Sequence, residues 1–184
     1  MWLLIILLVI IVGLVVYLIS AYNGLIRRRN QIENAWSQID VQLKRRLNLI
    51  PNLVDTVKGY ATHEKETLDA VISARNAAVA APDTPAAQAK ADGELTGMLQ
   101  RLFALGEAYP DLKANQNFLA LQEELSSTEG RVAYARQYYN DSVLAYNNKL
   151  QQFPTMYFAR MLHFERREYF EADEAARTVP DVEF

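Results

Sequence analysis

His63-Glu64 opens like the helix of a zinc hydrolase, in which two histidines four residues apart hold the metal and the glutamate between them acts as base. The second histidine would stand at position 67, and the chain has Thr67. A di-iron centre inside a helical bundle asks for Glu-x-x-His pairs. Three residues before His63 and His163 stand Tyr60 and Arg160, so neither histidine belongs to such a pair. With two histidines and no cysteine, a transition-metal site would rest on carboxylates alone. The chain also has no Gly-rich phosphate loop and no G-x-S-x-G elbow. These residues argue against an enzyme: the expected catalytic residues, metal ligands and cofactors are all none. A net charge of −3 gives no footprint for nucleic acid, which is not an expected partner.

The chemistry that is present belongs to surfaces, beginning with a lipid one. The first 26 side chains carry no charge, and Arg27, Arg28 and Arg29 follow at once. From Trp2 to Ile19 the run is almost all Leu, Ile and Val. Eighteen such residues in a helix rise about 27 Å, close to the roughly 30 Å hydrocarbon core of a bilayer. A cleavable signal peptide would need a basic start and a small-x-small site, and Ile19-Ser20-Ala21 places a bulky residue in one of the two key positions. A buried core helix of this length is seldom apolar on every face. The segment is expected to be an uncleaved single-pass anchor. The three arginines lie on its C-terminal side, so the positive-inside rule puts the short N-terminus outside and the bulk of the chain in the cytoplasm. Arg27, Arg28 and Arg29 would then face anionic headgroups, making membrane lipids an expected partner. The expected division is an anchor over 1–26, a helical domain over 27–170 and an acidic tail over 171–184.

Beyond the anchor the pattern is helical throughout, with no period-2 alternation. Trp36, Ile39, Leu43, Leu47, Ile50, Val54, Val57 and Ala61 step by three or four residues, drawing one apolar stripe. Pro51 falls inside it, yet the phase of the stripe passes through unchanged. The stripe predicts one helix from near Ala21 to about Val79, kinked at Pro51, over two independent helices. Ala80-Ala81-Pro82-Asp83-Thr84-Pro85 ends it, with Thr84 as N-cap and Pro85 as first residue of a second helix reaching about Ala108. A third helix carries Phe118, Leu121, Leu125, Val132, Tyr139, Val143, Tyr146 and Leu150, and Phe153-Pro154 closes it. Thr155 can cap a short fourth helix, and the end, Val179 to Phe184, reads as an extended tail. The expected fold is all-α: a transmembrane helix followed by an antiparallel up-and-down bundle of three long helices and one short one.

Several polar features admit two readings. Asn140 and Asn147 stand one heptad apart, where they could fix helix register or simply meet water. Glu171, Asp173 and Glu174 could form a docking patch or a solvated end. Tyr134, Tyr138, Tyr139 and Tyr146 fit the edges of a core better than a ligand box.

The order of certain blocks carries a family resemblance. Ala35-Trp36-Ser37-Gln38-Ile39-Asp40-Val41-Gln42-Leu43-Lys44-Arg45-Arg46, then Leu49 to Val54 and Lys58-Gly59-Tyr60, resembles the signature of the LemA family. Ala108 to Asn115, Thr128-Glu129, Ala135-Arg136 with Tyr139-Asn140, Phe153-Pro154, and the stretch from Tyr169 to Phe184 resemble its later blocks. The resemblance implies a bacterial membrane protein with an external N-terminus, one span and a cytoplasmic helical bundle. It implies no established reaction, and no site residue is carried over from it. The Trp36–Arg46 block reads as an assembly surface or as the bundle's tightest packing.

Together these readings predict a non-enzymatic, oligomeric scaffold of LemA type in the bacterial inner membrane, concerned with membrane organisation. The alternative is an accessory subunit of a membrane protein partner such as a protease. A homo-oligomer is expected because the stripe of the first helix outruns a short second helix, leaving the rest to be covered by later helices or by neighbouring subunits. Trp36, Ile39, Leu43, Arg45 and Arg46 are the expected interaction residues.

Overall fold

Pro51 sits inside an unbroken helix. The computed structural model describes residues 1–171, and in it α1 runs from Trp2 to Lys58 over 57 residues. A proline within a helix loses one hydrogen bond and crowds the preceding turn, at about 3 kcal/mol. Ile50, Leu53, Val54 and Val57 around it are all buried. Burial of each such side chain contributes about 1.5–3 kcal/mol. Four of them outweigh the proline, and the helix continues.

The expected extension of this helix to about Val79 is corrected. α1 stops at Lys58, residues 59–64 form a turn, and α2 covers Lys65–Ala80. The amides of Tyr60 and Ala61 both donate to the Val57 carbonyl, at 3.0 and 2.9 Å, which tightens the last turn. Ala61 is buried after the turn, and Leu68, Val71 and Ala78 bury one face of α2. The apolar spacing therefore persists while the chain changes direction.

The next elements follow their punctuation. α3 spans Pro85–Ala108, with Pro85 at its start and the Thr84 hydroxyl accepting the Ala87 amide at 3.4 Å. α4 is a single turn, Pro110–Lys113, and α5 runs Gln116–Gln151. Asn115 caps α5, its Oδ1 accepting the Phe118 amide at 3.0 Å. α6, Thr155–Met161, is the expected short helix. Thr155 lies in its first turn and does not cap it. Its hydroxyl is 3.2 Å from the Tyr17 hydroxyl instead. No strand occurs among the described residues.

The chain forms two compact units. The first joins Met1–Ser37 to Tyr138–Glu168. In it Trp36 packs on Tyr139 with ring centroids 5.6 Å apart, and Gln31 donates to the Tyr138 hydroxyl at 3.3 Å. Asn147 is buried and bonds Arg167 twice, donating to its carbonyl at 2.9 Å and accepting its amide at 3.0 Å. Neither a register-setting seam nor surface hydration describes Asn147: it serves as a backbone-like partner for the segment after α6.

The second unit holds Gln38–Gln137 with residues 169–171. Its core gathers Ile50, Leu53, Val57, Leu95, Leu99, Leu102, Leu112, Phe118 and Leu125. Ile39, Leu43, Val54 and Ala61 are buried as well, so the chain's own elements cover the stripe that otherwise called for neighbouring subunits. Phe170 is fully buried, with the Arg136 guanidinium 4.8 Å above its ring. Glu171 is exposed, while Asp173, Glu174 and the tail from Val179 to Phe184 lie outside the described residues.

Candidate functional site

The Trp36–Arg46 block divides its side chains by helix face. Ile39, Leu43 and Arg46 point inward and are buried; Trp36 is half-buried, and Arg45 is exposed. Arg45 forms an ion pair with Glu124 of α5 in which both side chains remain well exposed. Arg46 is 2% exposed and donates to Asp92 of α3, itself 7% exposed, at 2.6 Å. Glu129 lies farther off, 3.9 Å from the same guanidinium, and half of its side chain meets solvent.

Asp92 had no sequence signal. It sits between Ala91 and Gly93 on α3, 46 residues from Arg46, and looks like any helix-surface carboxylate. The pair lies beside a cavity of about 180 Å³ whose lining mixes Arg46, Gln100, Gln122, Ser126 and Glu129 with apolar Leu99, Phe103 and Leu125. This lining can hydrogen-bond and neutralise charge. Among the described residues no three His, Cys, Asp or Glu form a group able to hold a metal ion.

Two blocks far apart in sequence meet in the same unit. The Asn115 amide donates to the Tyr60 hydroxyl at 2.8 Å, and the Tyr109 hydroxyl donates to Glu64 at 3.0 Å. The turn after α1 is thereby tied to the turns around α4. The bond to Glu64 raises the Tyr109 pKa, so this phenol stays a donor. In the other unit, burial pushes Tyr139 up against the opposing pull of Arg167, and its hydroxyl donates to the Glu168 carbonyl at 3.0 Å. Both tyrosines act as structural donors rather than as acids.

The remaining surface of functional interest is the start of α1. Every side chain from Met1 to Val16 is exposed, including Leu3, Leu4, Ile10 and Val16. A continuous apolar helix with no protein over any face is a candidate membrane span. Arg27 is exposed and Arg28 and Arg29 are half-buried, with Arg29 3.8 Å from Glu33. The profile of the LemA family matches residues 35–184. The chain belongs to the LemA family.

Relatives agree over most of the length. Protein LemA of Metamycoplasma hominis is 30% identical over 87% of this chain and 73% of its own. The magnetosome protein MamQ of Magnetospirillum gryphiswaldense is 26% identical, covering 91% of this chain and 71% of its own. The magnetosome protein MamQ 2 of Paramagnetospirillum magneticum is 25% identical over the same shares, 91% and 71%. Family membership and the bare apolar helix together make this a membrane-associated protein of LemA type.

Proposed function

We propose that this LemA-family chain is a non-enzymatic, single-pass scaffold of the bacterial inner membrane, with its N-terminus outside and its helical units in the cytoplasm. The observation that carries the reading is α1 itself. One helix supplies both the bare apolar segment and, beyond Arg27–Arg29, buried residues of the same unit such as Ile32 and Ala35, with no linker between them. Anchor and bundle are one element, as suits a protein that holds partners at a membrane surface. The magnetosome relatives support a role in organising a membrane compartment. The anchor confines copies to one plane, which favours assembly with further copies or with a membrane protein partner.

Topology is tested by reporter fusion after Phe184. Activity of a cytoplasm-dependent reporter is the expected result, because the arginine cluster follows the span. Replacing Arg27, Arg28 and Arg29 with Glu, together with Lys residues beside Met1, should weaken or invert the orientation. Periplasmic activity of the unaltered fusion contradicts the reading.

A further inference from the structure

Phe153 to Phe164 is a twelve-residue stretch with a single charge, Arg160, and no carboxylate. It includes α6, and it leaves large apolar side chains bare: Phe153 is 79% exposed, Met161 66% and Tyr157 60%, with Leu162 exposed beside them. Four such residues clustered in so short a segment form a patch of the kind that marks an interaction surface.

What covers the patch follows from where α6 packs. The Thr155 and Tyr17 hydroxyls are 3.2 Å apart, and the Tyr17 and Phe158 ring centroids are 6.3 Å apart. Phe164 meets Tyr22 edge-on at 5.9 Å. An apolar groove of about 310 Å³ separates Leu18, Tyr22 and Leu25 of α1 from Phe158, Met161 and Leu162. Tyr17 precedes Arg27 by ten residues, or about 15 Å of helix. When the start of α1 spans a bilayer, α6 therefore lies at the level of acyl chains and headgroups, beside the span and not in bulk water.

The backbone of α6 suits that depth. In lipid an unpaired amide or carbonyl is expensive. Leu162 donates to Phe158, His163 to Arg160 and Phe164 to Ala159, at 2.9, 3.2 and 2.9 Å, closing the end of the helix on itself. That closure puts His163 at a φ of 55°, the left-handed conformation that completes such a cap. The amphipathic rings of Tyr17, Tyr22 and Tyr157 match the belt found at membrane interfaces, and Arg160 can extend to headgroups.

We infer that residues 153–162 form a second membrane contact, an interfacial helix whose Phe153, Tyr157, Met161 and Leu162 enter the acyl boundary beside the span. The inference rests on the reading of α1 as a span. Since the chain has no cysteine, single labels can be placed at will. The full-length protein carrying Phe153→Cys, Tyr157→Cys or Met161→Cys is labelled with an environment-sensitive fluorophore and reconstituted into phosphatidylcholine–phosphatidylglycerol vesicles. Leu8→Cys reports the span and Tyr134→Cys, an exposed position in the other unit, reports water.

Labels at 153, 157 and 161 should be quenched severalfold more by brominated acyl chains than the label at 134, and severalfold less by aqueous iodide. If the label at 8 is quenched by brominated lipid while the three behave like 134, the span stands and the interfacial helix is overturned. Shielding from iodide without quenching by brominated lipid means a protein cover, which overturns it too. A label at 8 that brominated lipid cannot reach removes the span and this inference together.

Discussion

Arg45 and Arg46 show how different two neighbouring arginines can be: Arg45 pairs with Glu124 in solvent, while Arg46 pairs with Asp92 out of it. Removing one partner of a buried ion pair leaves the other charge without compensation, at about 3–5 kcal/mol. Asp92→Ala or Arg46→Ala should lower stability by that amount in urea titrations followed by circular dichroism. Arg45→Ala removes an exposed pair with Glu124 and should change stability by about 1 kcal/mol or less. Equal effects of Arg45→Ala and Arg46→Ala would contradict this assignment. Charge reversal at Arg46 therefore reports on folding of its unit, and only Arg45 is a clean probe of assembly through this helix face. The sequence showed that Arg46 closes a dense block but not that it turns inward. That depends on Asp92, which only tertiary packing brings to it. Asn147 was ambiguous for the same reason, because its partners are backbone groups of Arg167, twenty residues away.

At the scale of elements, legibility followed local signals. Thr84-Pro85 marked the start of α3, because a hydroxyl cap and an N1 proline act within one turn. The passage of α1 through Pro51 was legible from the phase of Leu47, Ile50, Val54 and Val57. Its end at Lys58 was not, since Ala61 keeps that phase and Gly59 alone is a weak stop. The four residues of α4 are too few to show any period. Phe153-Pro154 was readable as a stop, whereas the packing of α6 on Tyr17 and Tyr22 is a tertiary fact. Pro51 also offers a test of the element. It is exposed, and Pro51→Ala restores a donor to the Leu47 carbonyl and removes a steric clash. The variant should be about 1–3 kcal/mol more stable, read as a higher urea midpoint. A lower midpoint would mean that the proline fits a local geometry the helix needs.

At the scale of the whole molecule, the scaffold proposed above assembles in the plane of a membrane. The stripe on α1 no longer supplies the motive, because Ile39, Leu43, Val54 and Val57 are buried within the chain. Confinement by the span and the membrane-facing surface proposed around α6 remain, and both act only on the full chain in lipid or detergent. The direct measurement is the mass of the detergent-extracted, full-length protein at micromolar concentration, by light scattering corrected for bound detergent. A whole-number multiple of the 20.9 kDa chain, unchanged on dilution through the micromolar range, is the predicted result. A single 20.9 kDa chain, or one copy in fixed ratio with a membrane enzyme, would contradict the self-assembling scaffold.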